Sequence, residues 1–399
     1  MKTKEIKLFP NLAKSIVQIL YAVFSEGKKA DKVIEKQFKQ NKQWGSRDRA
    51  TVAEISYEMI RHWRYLWYVN QKDIQLSQKN LFQLIGTYLH WKGEPVPEWL
   101  EYQPVIVQSR YNIPTCIAES FSEEFWNLMY EELNKQWEIE AHALNVPAKV
   151  ILRVNTLKTT KQQLRQLLLQ EQIKTTELED YPYALILENK INIFQNSYFK
   201  QGYFEVQDAN SQKVAEFCQV LPGMRVIDAC AGAGGKTLHL AALMKNKGKI
   251  IALDTAEYKL LELKKRMTRA GADNIEIRTI QPNTLKNLKN SADRLLLDVP
   301  CSGTGVLKRN PDAKWKINSQ FIEENRKKQA FILNHYARLT KIQGKLIYST
   351  CSILPSENEL QIEQFLKNHP NFELEEQKTL LPSKTGFDGF FMARLIRKY

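Results

Sequence analysis

The 399-residue sequence contains few cysteines, no internal repeat, no low-complexity tract and no long apolar run. Its five cysteines are odd in number and include no CxxC pair, which argues against a disulfide framework and against a structural zinc site. The apolar positions near the basic N-terminus are interrupted by Pro10, Asn11, Lys14 and Gln18, so the pattern predicts neither a signal peptide nor a membrane span. We therefore expect a cytoplasmic protein that binds no metal.

Positive charge is unevenly distributed along the chain. Lys and Arg number 58 against 44 Asp and Glu, which gives a net charge of +14. Residues 1–50 carry twelve basic and five acidic residues, residues 301–350 carry ten and three, and the rest of the chain is neutral overall. Clustered cations favour a polyanionic partner such as nucleic acid, because neutralising phosphates releases their counterions. A solvated basic surface is the simpler alternative.

Hydrophobic periodicity divides the chain into three regions. Residues 1–145 show apolar residues at helical spacing, which predicts an all-helical domain. Residues 146–205 combine strand-like KVILRVN and ALILEN with helical TTKQQLRQLLLQEQ, which predicts a small α+β unit. From residue 206, short apolar strands alternate with helices, which is typical of an α/β fold with a doubly wound, mostly parallel sheet. These strands are MRVIDAC, KIIALD, IEIRTI, DRLLLDV and KLIYSTC.

The first of these strands runs into the glycine-rich stretch DACAGAGGKT, residues 228–237. Its glycines allow a ligand to approach the backbone, and the N–H groups at the start of the next helix favour a carboxylate or phosphate. The spacing fits neither a P-loop, which needs glycine where Cys230 stands, nor the dinucleotide GxGxxG motif. Asp254 ends the next strand, where a carboxylate can accept hydrogen bonds from ribose hydroxyls. The combination favours S-adenosylmethionine, and a plain turn with Asp254 as a helix cap is the alternative.

Two cysteines each follow a predicted parallel strand. Because the carboxyl ends of such strands share one cleft, Asp298, Cys301 and Cys351 are expected to converge near the glycine-rich loop. A single cysteine is usually a core residue, but two thiols and an acid beside a methyl donor meet a specific chemical need. Methylation of pyrimidine C5 requires a thiolate to add at C6 while an acid supports N3, followed by loss of the C5 proton so that the adduct collapses. Spacing alone does not rank the two cysteines as nucleophile.

Six motifs in family order make the chain resemble the RNA cytosine-5 methyltransferases, and among them the bacterial 16S ribosomal RNA enzymes of the RsmB (Sun/Fmu) type. They are RVN (153–155), FEVQDANSQ (204–212), DACAGAGGKT (228–237), DVPCSGTGVLKRNPDAKW (298–315), STCSILPSENE (349–359) and DGFFMARL (388–395). The resemblance implies S-adenosylmethionine-dependent methylation of cytosine C5 in RNA. By that resemblance Cys351 is the nucleophile, Cys301 the thiol that assists release and Asp298 the group that hydrogen-bonds the cytosine ring. The cofactor-binding residues it implies are Cys230, Ala231, Gly232, Ala233, Gly234, Gly235, Lys236, Asp254 and Asp298.

The same resemblance implies three domains. Residues 1–145 would form a NusB-like RNA-binding domain, residues 146–205 a small RRM-like subdomain able to extend the RNA surface, and residues 206–399 a Rossmann-like methyltransferase domain. The implied substrate is 16S rRNA, either as naked RNA or within a partly assembled small subunit. The same chemistry on tRNA remains an alternative, as does a non-catalytic RNA-binding or ribosome-assembly protein.

Two groups of side chains are candidates for holding RNA. Lys308, Arg309 and Lys314 follow the Pro-Cys turn directly, and we expect them to contact phosphates, with a solvated charged face as the alternative. Aromatic residues of the N-terminal region such as Trp63 and Trp67 are either core residues, which helical spacing favours, or platforms for base stacking.

One segment departs from the family pattern. The family usually has an acidic residue after the strand IEIRTI, near the adenine of the cofactor, whereas this chain has Gln281-Pro282-Asn283. Gln281 and Asn283 are equal candidates for an adenine contact, and a plain turn is the simpler reading. The residue that contacts adenine therefore stays open.

Overall fold

The computed structural model describes residues 7–105, 113–188, 191–281 and 283–399. The chain forms two compact units. The first comprises residues 1–146 together with the segment Leu307–Asn318, and the second comprises residues 147–306 and 319–399. The chain therefore leaves the second unit after Val306 and returns to it at Ser319.

The regular elements described in the first unit are helices, as the apolar periodicity predicts. In α1, residues three and four apart such as Leu12, Ile16 and Ile19 are buried on one face, and Pro10 occupies the first turn, where its missing N–H costs nothing. Ser122 caps α7 by accepting a hydrogen bond from the N–H of Phe125. The helices are α1 (Pro10–Phe24), α2 (Ala30–Gln40), α3 (Ser46–Arg61), α4 (Trp63–Val69), α5 (Gln78–Trp91), α6 (Thr115–Ala118), α7 (Glu123–Leu133) and α8 (Gln136–Leu144).

The segment Leu307–Asn318 completes the core of this helical unit. The indole Nε1 of Trp315 donates to the carbonyl of Ile60 at 3.0 Å, and its ring packs edge-on against Phe24 at 5.9 Å between centroids. A division of the chain at residues 145 and 205 therefore misses a part of the helical unit that lies about 160 residues further on. Nothing in the local periodicity of this short segment indicates where it packs.

A small antiparallel sheet with strand order β2-β3-β1-β4 opens the second unit. Thr160 and Gln163 form a capping box at the start of its helix, which fixes where that helix begins. One face of the sheet packs against this helix and the other against residues that follow the small unit in sequence, including Ala209 and Phe387. An open RRM-type sheet face is therefore not available for RNA. The elements are β1 (Ile151–Val154), α9 (Lys161–Gln170), β2 (Thr175–Glu177), β3 (Ala184–Leu187), α10 (Ser197–Lys200) and β4 (Phe204–Val206).

A larger sheet in the same unit has the order β10-β11-β9-β8-β5-β6-β7. Neighbours from β9 to β7 pair in parallel, whereas β11 and β10 are antiparallel to their neighbours, so the predicted doubly wound, mostly parallel sheet is confirmed. The five predicted strands are present. The elements are α11 (Ala209–Phe217), β5 (Arg225–Asp228), α12 (Gly235–Leu243), β6 (Lys249–Asp254), α13 (Glu257–Ala270), β7 (Ile275–Thr279), β8 (Ala292–Asp298), α14 (Ser319–Tyr336), β9 (Thr340–Thr350), α15 (Glu359–Asn368), β10 (Phe372–Leu380), α16 (Pro382–Thr385) and β11 (Phe390–Arg397).

The sheet places several acids and the cysteine-bearing turns together at the carboxyl ends of its parallel strands. Asp228, Asp254 and Asp298 are the last residues of β5, β6 and β8, and Cys351 directly follows β9. The connections reverse direction between β8 and β6 around β5, the middle of the five parallel strands, which is where open α/β sheets form their ligand crevice. Among the described residues, no helix has the length and apolarity required to cross a membrane.

Candidate active site

The glycine-rich loop between β5 and α12 folds back against the neighbouring strand. Gly234 has a φ of +85°, and a Cβ at this position would lie 2.1 Å from Cδ1 of Leu263, so both its conformation and its surroundings require glycine. The N–H of Gly232 donates to Oδ2 of Asp254 at 2.9 Å. The loop and the end of β6 are thereby fixed to each other.

Asp254 serves both the loop and the start of α13. Its Oδ1 accepts a hydrogen bond from the N–H of Ala256 at 2.8 Å, next to the first residue of that helix. Its side chain also lines the cavity beside the loop. Each carboxylate oxygen retains a further lone pair, so this local role and the predicted ribose contact are compatible.

Asp228 is a buried carboxyl group at the end of β5. Its Oδ2 accepts a hydrogen bond from Thr237 Oγ1 at 2.7 Å, whereas Oδ1 has no hydrogen-bond partner among the described residues. Burial raises the pKa of Asp228 to about 7. An orphaned carboxyl oxygen on the wall of a cavity is a position where a polar ligand group would be stabilised.

A cavity of about 560 Å³ lies beside the loop at this edge of the sheet. That volume is typical of a small-molecule site. Gly234 apart, every predicted cofactor-binding residue lines it: Cys230, Ala231, Gly232, Ala233, Gly235, Lys236, Asp254 and Asp298. The start of α12 offers N–H groups to a carboxylate, Asp254 offers acceptors to a ribose, and Ile280, Ile332 and Tyr336 provide an apolar wall. The donors and acceptors present therefore fit S-adenosylmethionine.

The two candidate neighbours of adenine, Gln281 and Asn283, are not part of this cavity wall. The N–H of Gln281 donates to Thr284 Oγ1 at 2.9 Å, and the N–H of Thr284 donates back to the carbonyl of Gln281 at 3.0 Å. Pro282 lies outside the described residues. Of the described residues, neither Gln281 nor Asn283 lines the cavity, whereas the preceding Ile280 does.

Lys236 and Asp298 form an ion pair on the wall of this cavity. Lys236 Nζ lies 2.8 Å from Asp298 Oδ2 and 5.1 Å from the centroid of the Phe390 ring. Burial alone would lower the pKa of Lys236, but the attraction and hydrogen bond of Asp298 raise it overall. The lysine is therefore held as a cation, and it holds Asp298 in place.

Cys301 and Cys351 lie side by side. Their Sγ atoms are 3.3 Å apart, and both residues are partly exposed. The hydrogen bond with Cys351 and burial both raise the pKa of Cys301 well above its ordinary value. The structure thus brings together the two thiols that lie fifty residues apart in sequence, as the strand-end argument predicts.

Gly305 allows the two cysteine-bearing turns to pass within contact distance. Its N–H donates to the carbonyl of Cys351 at 2.9 Å, and its own carbonyl accepts a hydrogen bond from the N–H of Gly389 at 2.7 Å. A Cβ at Gly305 would lie 2.5 Å from the carbonyl oxygen of Gly389 and 2.8 Å from that of Cys351. Only glycine fits where these three backbone segments meet.

Residues of the motifs RVN and FEVQDANSQ hold the glycine-rich loop through hydrogen bonds to or near its carbonyl groups. The sequence analysis did not predict this role. Arg153, on β1, donates to Gln207 Oε1 at 2.6 Å and to the carbonyl of Gly235. Burial lowers the pKa of Arg153 to about 10. Glu205 binds Arg266, which in turn donates to the carbonyl of Ala233 at 2.7 Å. A strand-period pattern locates these residues on a sheet but does not indicate which loop they hold.

The expectation that Lys308 and Lys314 contact RNA phosphates is wrong, because both side chains are buried. Lys308 is 4% exposed and Lys314 is 2% exposed. Lys314 Nζ donates to the carbonyl of Arg61 at 2.6 Å and to Asn145 Oδ1 at 3.2 Å, and it lies 4.2 Å from the centroid of the Phe121 ring. The lysine satisfies core carbonyls instead of facing solvent.

The remaining RNA candidates divide in the same way. Arg309 is partly exposed. Trp63, Tyr65 and Trp67 are buried core residues, as helical spacing favours, and Trp63 stacks on Phe24 at 3.7 Å between ring centroids. Over the described ranges, no group of three or more His, Cys, Asp or Glu side chains is arranged to hold a metal ion.

A seven-stranded sheet of this order, with a glycine-rich loop and three aspartates beside a small-molecule cavity, defines a Rossmann-like S-adenosylmethionine-dependent methyltransferase. Residues 218–396 match the family model "16S rRNA methyltransferase RsmB/F", and residues 125–194 match the RsmF/B-like ferredoxin-like domain. The chain is 34% identical over 316 residues to a "probable ribosomal RNA small subunit methyltransferase B" of Synechocystis, covering 74% of this chain and 69% of that protein. The chain belongs to the RsmB/F methyltransferase family.

Solved structures agree on the fold. The crystal structure of PH0851 is 24% identical, with a TM-score of 0.81 over 99% of this chain and 100% of that one. A methyltransferase homolog protein from Pyrococcus horikoshii is 27% identical, with a TM-score of 0.64 over 73% of this chain and 100% of that one. Other bacterial relatives named ribosomal RNA small subunit methyltransferase B are matched over 63% of their length, which is less than two thirds.

Proposed function

We propose that this protein transfers a methyl group from S-adenosylmethionine to C5 of a cytosine in 16S rRNA through a covalent Cys351 adduct. The observation that carries the proposal is the 3.3 Å separation of the Cys301 and Cys351 sulfurs at the sheet edge where the cofactor-sized cavity lies. The relatives' names, which specify the RNA of the small ribosomal subunit, support the substrate class.

The first step makes C5 nucleophilic. The Cys351 thiolate adds to C6, and the electron pair of the C5–C6 double bond moves so that C5 carries enamine-like density. Asp298, whose position is fixed by Lys236, can accept a hydrogen bond from the cytosine amino group, and the Lys236 ammonium beside it favours the negative charge that the ring gains when the thiolate adds. The nucleophile and this ion pair thus act on different parts of one ring.

Residues 230–236, Asp254 and Asp298 would hold the cofactor. When bound there, S-adenosylmethionine supplies an electrophilic methyl group to the activated carbon. The chain's own contribution is to orient both reactants and to exclude bulk water from the cavity.

The last step restores the aromatic ring. The C5 proton passes to water, its electron pair re-forms the C5–C6 double bond, and the bond between C6 and the Cys351 sulfur breaks, which releases that sulfur as a thiolate. The Cys301 thiol lies within hydrogen-bond distance of this leaving sulfur and can donate its proton to stabilise it. Cys301 thereby assists release without attacking the base.

Access to the base sets the form of the RNA. A cytosine must be unstacked before a thiol can reach C6, so the substrate presents it in a loop or by extrusion. Arg309 remains our proposed phosphate contact, and the helical unit is our proposed NusB-like RNA-binding domain. A partly assembled small subunit is a suitable substrate because it presents the folded RNA before the site is covered.

The two cysteine variants test the assignment. Cys301→Ala should accumulate a protein–RNA adduct that survives a denaturing gel, because attack proceeds and release fails, whereas Cys351→Ala should form neither adduct nor product. A Cys301→Ala protein that runs only as free protein would contradict the division of labour. The purified protein is incubated with S-adenosylmethionine and with 16S rRNA or bulk tRNA from cells that lack it, and new 5-methylcytosine is mapped. A new site in 16S rRNA supports the rRNA proposal, and one in tRNA supports the alternative.

The non-catalytic alternative has its own test. If Cys351→Ser supported normal small-subunit assembly in cells as well as the wild type does, the essential role would be RNA binding or assembly. Loss of the methyl mark with that variant would establish the enzyme.

A further inference from the structure

Glu357 lies at the centre of the hydrogen bonds that join the two cysteine-bearing turns. Its side chain is fully buried. Oε1 accepts hydrogen bonds from the N–H of Ser302 at 2.8 Å and from Gln329 Nε2 at 2.9 Å, and Oε2 accepts one from the hydroxyl of Ser302. Among the described residues no basic side chain forms an ion pair with this carboxylate, and three neutral donors satisfy it instead.

These bonds connect three separate elements. Ser302 follows Cys301 in the turn after β8, Glu357 lies six residues beyond Cys351, and Gln329 is on α14. Gln329 Nε2 also donates to the carbonyl of Pro300 at 3.0 Å, so the peptide groups on both sides of Cys301 are bound. The main chain of Glu357 is itself held, because Tyr348 donates its hydroxyl to the Glu357 carbonyl at 2.6 Å. The carboxylate therefore cannot move away from the turn without breaking a buried network.

The turn is held to the Cys351 segment by a second set of hydrogen bonds. Thr304 Oγ1 and Ser352 Oγ lie 3.0 Å apart, and Thr304 Oγ1 also accepts a hydrogen bond from the N–H of Ile353 at 3.1 Å. Together with Gly305 these contacts fix the separation of the sulfurs. The two sulfurs still differ in their surroundings, because only the Cys301 turn is bound directly to the Glu357 carboxylate.

We propose that Glu357 is a positioning residue that fixes the Cys301 turn against the Cys351 segment and keeps the Cys301 sulfur protonated, leaving Cys351 to attack. A buried negative charge beside a thiol disfavours its thiolate, whose formation would place two negative charges close together in a medium of low dielectric. The ionisable groups that face Cys301 are Cys351, Glu357 and Tyr348. These three groups are acids, so each disfavours a second anion at Cys301, whereas a backbone hydrogen bond from Gly303 acts in the opposite direction.

The first experiment uses neither RNA nor cofactor. The reduced protein is alkylated with iodoacetamide between pH 6 and pH 10, and modification is quantified on the tryptic peptides 295–308, which contains Cys301, and 346–367, which contains Cys351. Glu357→Gln keeps the size and both N–H bonds to Oε1 but removes the charge. We expect the pH at which the alkylation rate of Cys301 is half-maximal to fall by about one unit. At intermediate pH this makes alkylation of Cys301 about tenfold faster. Glu216→Gln, the same change elsewhere in this unit, should leave the Cys301 profile unchanged.

A folded Glu357→Gln protein with the wild-type Cys301 profile would overturn the proposal. Because that variant removes a buried group, Ser302→Ala provides an independent test of positioning. It deletes the hydroxyl bond to Oε2 but retains the N–H bond to Oε1. We expect it to slow product formation several-fold and to raise the level of protein–RNA adduct towards that of Cys301→Ala. Wild-type turnover and adduct level in Ser302→Ala would show that the network does not position the turn.

The identity of the attacking sulfur rests on the proposed function, and the two failures are distinguishable. If the wild-type protein forms no adduct with RNA while the alkylation profiles differ as expected, the proposed function fails and the action of Glu357 on Cys301 stands. If the wild type forms adduct through Cys351 and Glu357→Gln changes neither profile nor adduct level, the proposed function stands and the role of Glu357 fails.

Discussion

Lys236 Nζ lies 2.8 Å from Asp298 Oδ2, which joins the glycine-rich loop after β5 to the end of β8. The lysine is on the first turn of α12, next to the N–H groups that face the cavity, and the aspartate precedes the Pro-Cys turn. One ion pair therefore couples the residues that would hold the cofactor to those that would hold the base.

Asp298→Asn should lower methyl transfer by about 10²-fold or more, because the variant loses the carboxylate that hydrogen-bonds the cytosine and leaves the buried Lys236 without its partner. Single-turnover transfer to 16S rRNA measures the effect. Asp293→Asn is the matched control, since it removes an ion pair with Lys341 at the opposite end of the same strand. Equal losses in the two variants would show that the effect is structural.

Asp228→Asn should change how stability depends on pH. In the folded protein the pKa of Asp228 is about 7, whereas the unfolded chain ionises near its ordinary value of about 4. The folded state thus keeps a proton that the unfolded state has lost, so the associated stability is present below pH 4 and disappears as pH rises through 7. In urea unfolding, the unfolding free energy of the Asn variant should rise relative to that of the wild type between pH 5 and pH 8, by about 2–4 kcal/mol at pH 8. Parallel curves would contradict the assignment.

Lys314→Met should destabilise the helical unit by about 1–3 kcal/mol, because it leaves the buried carbonyl of Arg61 without its donor. Denaturant unfolding followed by tryptophan fluorescence measures this change. Lys316→Met, which removes a partly exposed ion pair with Asp312, should cost less than about 1 kcal/mol. If Lys314→Met retained full stability but lost RNA affinity in a salt-dependent way, a phosphate-contact role would be restored.

Gly305→Ala should disrupt the alignment of the two sulfurs, since the added Cβ would overlap the carbonyls of Cys351 and Gly389. We expect a loss of about 1–3 kcal/mol in unfolding free energy together with loss of adduct formation. Gly45→Ala serves as the control because a Cβ there meets no atom within 4 Å. Adduct formation at the wild-type rate in Gly305→Ala would show that the backbone crossing is more tolerant than its geometry indicates.

The sequence predicts most of the large sheet because buried parallel strands are continuous apolar runs bounded by helices. Strand β10, FELEEQKTL, is different, because it is the last strand of the sheet and many of its charged residues are exposed. It therefore lacks the continuous apolar run by which buried strands are predicted. The convergence of Cys301 and Cys351 follows from strand topology alone, since parallel strands end at the same edge.

The rest of the site depends on packing that no local pattern encodes. Lys308 and Lys314 resemble surface cations in the sequence, but the segment that carries them is part of another unit's core. Glu357 lies in a recognisable motif, yet its bonds to Ser302 and Gln329 exist only because three elements meet. Long-range partners of this kind require the tertiary structure.

The return of Leu307–Asn318 to the helical unit also orders events on the ribosome. An N-terminal domain usually folds as soon as its own residues emerge, at synthesis rates of about 5–20 residues per second. Here Trp315 and the rest of Leu307–Asn318, which pack against the helical core, are synthesised only after the residues of strands β1 to β8. The nascent chain must therefore hold an unfinished helical unit while the parallel sheet begins to assemble, and the two units mature together instead of in turn.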